Sequence, residues 1–148
     1  MQKQKHAQYY EGILQLRNPT KEIISFVRKE TEKSKTNIAK EKRLKNGIDL
    51  YLSSQRFTLQ LGLLLQKRFP GILITSRKLH TISKKTGKRL YRVTVLFKYL
   101  PIKLGKQITF KGMKLTIVQI ERNTIIAKEL SGKKHKIKLK ELAGLVLS

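Results

Sequence analysis

The chain has 148 residues, of which 34 are Lys or Arg and 9 are Asp or Glu, so its formal net charge is +25. It contains no Cys, which excludes a disulfide framework, a thiolate zinc centre and thiol catalysis together. No apolar run approaches the roughly 20 residues that span a membrane, and Met1-Gln2-Lys3-Gln4-Lys5-His6 leads into no hydrophobic segment of the secretory kind.

Residues Tyr9 to Arg17 set Ile13, Gln15 and Arg17 against Gly12, Leu14 and Leu16, the alternation of a half-buried strand. Asn18-Pro19 ends that strand and predicts a helix from about Pro19 to Glu32, with Asn as N-cap and Pro as first helical residue. Ile23, Ile24, Phe26 and Val27 share one face of it. Lys33 to Asn46 is highly polar, with Ile38, Ala39 and Leu44 as its apolar points, and reads as a strand behind a frayed loop. Asn46-Gly47 predicts a tight turn into a strand over Ile48 to Leu52, hence a hairpin. Ser53 or Ser54 caps the next helix, which carries Phe57, Leu59, Leu61, Leu63, Leu64, Leu65 and Phe69 and stops at Pro70-Gly71. Being apolar around much of its circumference, it belongs against a sheet. Strands over Ile72 to Ile82 and Arg89 to Lys98 follow, joined by Lys84-Lys85-Thr86-Gly87-Lys88. The order β-α-β-β-α-β-β defines a two-layer α+β domain with its helices on one sheet face.

After Tyr99-Leu100-Pro101 the pattern changes to short strands: Gln107 to Phe110, Met113 to Glu121, Thr124 to Leu130 and Lys134 to Leu139. Turns at Lys111-Gly112, Arg122-Asn123 and Ser131-Gly132-Lys133 separate them, the spacing of a small closed β-barrel. The expected organisation is a basic extension over 1–8, the α+β domain over 9–100, the barrel over 101–140 and a tail over 141–148.

A small folded body cannot hide such a charge, and its like charges repel one another. A polyanion relieves that repulsion, because each Lys or Arg that meets a phosphate releases a condensed counterion. The expected partner is therefore nucleic acid, with rRNA foremost. Arg77, Lys78, Lys84, Lys85, Lys88 and Arg89 surround one predicted hairpin tip, from which cations reach phosphate without being buried. Lys133, Lys134, His135, Lys136, Lys138 and Lys140 form a second cluster on a predicted edge strand, where lysines also prevent strand-to-strand aggregation. Lys33, Lys35, Lys40, Lys42, Arg43 and Lys45 form a third, in a segment expected to order on binding. Tyr9 and Tyr10 are candidates to stack on RNA bases, although one of two adjacent strand residues faces the core.

Catalysis finds little support. His6, His80 and His135 stand in separate segments without ligand spacing, no phosphate-cradling Gly loop is present, and Glu11 and Asp49 are the carboxylates on the clearest strands. The chain is expected to have no catalytic residue, metal, cofactor or small-molecule substrate, and to form no homo-oligomer.

Tyr9-Tyr10-Glu11-Gly12-Ile13-Leu14-Gln15-Leu16-Arg17 resembles the YYEAxxQLR strand of the nonsense-mediated decay protein three family. Gly47-Ile48-Asp49-Leu50-Tyr51-Leu52-Ser53-Ser54, Phe69-Pro70-Gly71, Tyr91-Arg92-Val93-Thr94-Val95, and Pro101 with Gly105 match the family in the same order, with the archaeal branch most similar. That family is described as the export adaptor of the large ribosomal subunit in eukaryotes. The resemblance, which covers roughly residues 8 to 140, implies an α+β domain shared with a ribosomal protein, followed by a barrel similar to that of translation factor five-A. In the family these modules lie along the tRNA corridor on the intersubunit face. Family members usually begin with paired CxxC zinc motifs, which this Cys-free chain lacks, and Lys106 stands where the barrel normally has Asp after Gly105.

The resulting expectation is a non-enzymatic, cytoplasmic, rRNA-binding factor of the large subunit. It would contact rRNA and neighbouring ribosomal proteins in late assembly or on inactive subunits. The alternative is a constitutive large-subunit ribosomal protein.

Overall fold

The computed structural model describes residues 9–82, 84–121 and 123–142, and builds two sheets from consecutive parts of the chain. Strand β1 is Gly12–Arg17, helix α1 is Lys21–Ser34, β2 is Ile38–Leu44 and β3 is Gly47–Leu52. Helix α2, Gln55–Arg68, leads into β4, Gly71–Ile82, and β5, Arg89–Tyr99. Then come β6, Gln107–Phe110, β7, Met113–Ile120, β8, Thr124–Lys128, and β9, Lys134–Lys138, before a 3-10 turn over Leu139–Leu142. The expected N-terminal extension, with His6, and the end of the expected tail lie outside the described residues.

The first sheet has the order β2-β3-β1-β5-β4, in which β1 is antiparallel to β3 and parallel to β5. Leu14, Leu16, Leu50, Leu52, Val95 and Phe97 from one face of this sheet share a core with Ile23 and Val27 of α1 and Phe57, Leu61 and Leu65 of α2. Both helices therefore cover the same face, and the molecule is α+β.

Local chemistry sets the ends of these elements. Thr20, rather than Asn18, caps α1: its Oγ1 accepts the Ile23 N–H at 3.1 Å. Asn18 instead stands at φ 52, a left-handed conformation that Asn tolerates better than most residues, and so delays the helix past Pro19. Ser54 caps α2 by accepting the Phe57 N–H at 3.1 Å. The apolar girth of α2 meets the sheet only along Phe57, Leu61 and Leu65, a stripe of four-residue steps, and leaves Leu63 55% exposed. Leu44 pairs with Gly47, so the β2–β3 turn is Lys45–Asn46, and no residue of it has positive φ. Gly47 answers a close approach instead: a Cβ there would lie 1.9 Å from the Leu16 carbonyl oxygen.

The second sheet is an antiparallel meander in the order β6-β7-β8-β9. The spacing of its strands predicts closure into a barrel, yet among the described residues β6 and β9 are the edges of this ladder. The open side of its core is filled by side chains rather than by another strand pair. Leu139 and Leu142 of the 3-10 turn, Leu100 and Ile102 of the connection, and Ile72 of β4 pack with Ile108, Leu115, Ile117, Ile125 and Ile137. Leu142, in the segment read as tail, is fully buried. Ile72 belongs to the first sheet by hydrogen bonding and to the second by packing. Gln66 of α2 adds a bond across the same junction, donating from Nε2 to Asn123 Oδ1 at 2.6 Å.

Candidate nucleic-acid interface

β1 pairs with β5 over Val93 to Lys98, whereas β4 and β5 stay paired out to Ile82 and Arg89. From the Lys78–Arg92 pair outward, the two strands therefore run past the rest of the sheet as a free ribbon. Arg77 stands at its root, Lys78 and Arg89 on its strands, and Lys84, Lys85 and Lys88 at its tip; all are exposed. Among the described residues none of these six cations has an acidic partner. Leu79, Ile82, Leu90 and Tyr91 are exposed on the same arm, which α2 meets near its root, where Gln55 Nε2 donates to the Tyr91 carbonyl at 3.5 Å.

The other candidates fall elsewhere. Lys40, Lys42 and Arg43 lie in β2, an edge strand at the opposite side of the sheet from β4: the strand expected behind a frayed loop is present, and it is paired rather than awaiting a partner to order it. The Ile38–Leu44 strand is held by its ladder to β3, and α1 extends to Ser34, which uses up most of the expected loop. Lys40 and Lys42 project from the sheet face away from the helices, opposite Tyr51 and Asp49 in register. Arg43 points the other way, 3.9 Å from Glu41, whose carboxylate also takes Arg28 at 2.7 Å. The hydrogen bond from Arg28 holds the Glu41 carboxyl below its usual range.

On β9, Lys134, Lys136 and Lys138 alternate outward against the buried Ile137, with Lys133 in the preceding turn. Lys136 lies 3.8 Å from Glu121, and His135 meets Glu129 at 2.8 Å. β9 is an edge of the second sheet, so the three cationic clusters occupy three separate margins rather than one patch. His80 and His135 belong to different sheets.

Tyr9 is half-buried, and its hydroxyl donates to the Glu11 carboxylate. Glu11 in turn accepts the Gln55 N–H at 3.0 Å, tying the approach to β1 to the start of α2. Burial, and then the bond to Glu11, push the Tyr9 phenol up to about 12. Tyr10 is also half-buried, with Arg92 4.0 Å over its ring and Tyr51 against its edge. Sequence reasoning passed over Arg92 and Tyr51. The signal available was alternation: Arg92 precedes the buried Val93, and Tyr51 stands between the buried Leu50 and Leu52, so both face away from the helices.

These features define a small, strongly basic α+β protein whose cations are concentrated on strand margins and on a projecting ribbon. Its residues 9–98 match the protein family described as NMD3, second domain, and the chain belongs to the NMD3 family. That family is associated with biogenesis and export of the large ribosomal subunit. No curated protein sequence matches the chain. No helix among the described residues is long and apolar enough to cross a membrane.

Proposed function

We propose that this protein is a non-enzymatic, rRNA-binding factor of the large ribosomal subunit, of the archaeal type. It docks near the tRNA sites of the intersubunit face during late assembly or on inactive subunits, in the cytoplasm. The observation that carries the reading is the β4–β5 ribbon, an arm whose exposed cations have no acidic partner among the described residues, in a chain of net charge +25. A two-stranded ribbon of that kind reaches into a groove between phosphate backbones while its charges stay hydrated until contact. Family membership supports the large subunit as the source of the phosphates.

Co-sedimentation with isolated large subunits at increasing salt tests the proposal. Binding should fall steeply with salt, and reversing Lys84, Lys85 and Lys88 to Glu should weaken it and flatten the salt slope by about one unit per lost phosphate contact. Equal binding to both subunits, or an unchanged salt slope in the reversal variant, would overturn it.

The distribution of cations over three margins favours one other reading, a constitutive large-subunit protein embedded in RNA on several sides. Copy number decides between them. Enrichment on free large subunits indicates a factor, whereas near-equal copies on translating ribosomes indicate a structural component.

A further inference from the structure

The face of the first sheet away from the helices carries a row of cations and rings. A bend at Glu11 interrupts the strand alternation, so Tyr10 lies on this face beside Tyr51, with ring centroids 4.9 Å apart and planes at 87°. Arg92 lies 4.0 Å from the Tyr10 centroid, and its Nε donates to the Tyr10 carbonyl at 3.3 Å. At the other end Lys40 Nζ is 5.3 Å from the Tyr51 centroid. Lys42, opposite Asp49, and Lys78, opposite Arg92, flank the row on the same face. Asp49, the carboxylate between them, is already held by Arg17 at 2.7 Å.

This row is half-exposed, so it is not core, and its charge is positive on balance: Arg92, Lys40, Lys42 and Lys78 stand against Asp49, which Arg17 already engages. The guanidinium of Arg92 is fixed at stacking distance over one ring, and among the described residues its terminal nitrogens have no hydrogen-bond partner. Unpaired bases stack on aromatic and guanidinium planes, whereas a duplex keeps its bases inside.

We propose that this face binds unpaired RNA. A splayed base stacks on the Arg92–Tyr10 pair, and the adjoining phosphates meet Lys40, Lys42 and Lys78. The inference rests on the RNA-binding reading above and adds which form of RNA is taken and where. The ribbon accepts the backbone of either form; this face selects the single strand.

The test uses the full chain with a labelled oligouridylate of about twelve nucleotides and an RNA duplex of similar length, at one salt concentration. Arg92→Lys keeps the charge but removes the planar group, and Tyr10→Leu keeps bulk but removes the ring. Each should weaken oligouridylate binding roughly five- to a hundredfold, the range for loss of one base-stacking contact, and leave duplex binding within about twofold. A 4-thiouridine oligonucleotide should crosslink the wild-type chain at Tyr10 or Tyr51, a readout that does not depend on how the variants fold. Equal losses on both RNAs, no loss on either, or crosslinks confined to Lys84 to Arg89 would overturn the proposal. Co-sedimentation of the wild-type chain with large subunits separates the two readings. Subunit binding without selective loss in the variants leaves only the docking reading standing, and selective loss without subunit binding leaves only the single-strand site.

Discussion

Arg17 and Asp49 are bound across the β1–β3 ladder, Nη1 to Oδ1 at 2.7 Å, on the sheet face that the helices leave open. Asp49 is only 6% exposed there, although it lies opposite Lys42 in a chain with far more cations than anions. The pair holds one of the few carboxylates where it neutralises the middle of a positive face.

Asp49→Ala should therefore cost about 2–3 kcal/mol in urea denaturation, because it strands Arg17 partly buried without its carboxylate partner. The cost should stay below that of a fully buried pair, since the Arg17 side chain keeps 18% of its exposure. Adding Arg17→Met should recover most of the loss. A double variant no more stable than Asp49→Ala alone would show that the carboxylate acts through packing rather than charge.

Ile72 joins the two sheets, hydrogen-bonded in β4 and buried at 4% exposure in the core of the second sheet. We expect the full chain to unfold in one cooperative transition, and Ile72→Ala to lower its stability by about 2–4 kcal/mol, the range for a large-to-small core change. Calorimetry reads both quantities. Two separate transitions in the unaltered chain would mean that the sheets are energetically independent despite the shared residue.

Alkaline pH should act through Tyr9. The Tyr9 phenol is pushed from its ordinary value of 10.0 up to about 12 by burial, then by the hydrogen bond and negative charge of Glu11, against the opposing charge of Arg92. A group whose pKa is raised on folding contributes stability below its unfolded pKa and loses it as pH climbs through the folded one. That contribution should be complete below pH 10 and disappear towards about pH 12, and Tyr9→Phe should remove this part of the stability profile. At the acid end the sign reverses for Glu41, which the Arg28 hydrogen bond holds below the usual glutamate range. Its contribution should be complete above that range, decline as pH falls through it and be gone below the lowered folded value, and Arg28→Gln should abolish it. Denaturation midpoints across both pH ranges provide the check.

Much of the fold follows from local pattern. The alternation of Leu14 and Leu16 with Gln15 and Arg17, the capping Ser54 before an apolar helix, and the polar breaks at Lys84 to Lys88 and Ser131 to Lys133 each act within a few residues. So does net charge, which is a sum and needs no structure. These are the features that pointed to an α+β chain and a polyanionic partner. Where two local signals competed, as Asn18 and Thr20 did for the cap of α1, only the observed backbone decided, because the left-handed turn at Asn18 displaces the helix start.

What the sequence could not contain was the lateral order of the strands. Placing β1 between β3 and β5 makes neighbours of residues far apart in the chain: Tyr10, Tyr51 and Arg92 meet only because of it. The same order separates Lys40 from the ribbon by the width of the sheet, although simple charge counting would pool them. Among the described residues β6 and β9 do not pair for a similar reason, since the space that a β6–β9 ladder would have enclosed is filled by Ile72 and Leu142 arriving from outside the four strands. Composition and periodicity thus set the expected class of partner and the supply of elements, because charge and alternation are local. The site belongs to tertiary structure, because strand neighbours are chosen by long-range burial and hydrogen bonding, which no window of sequence encodes.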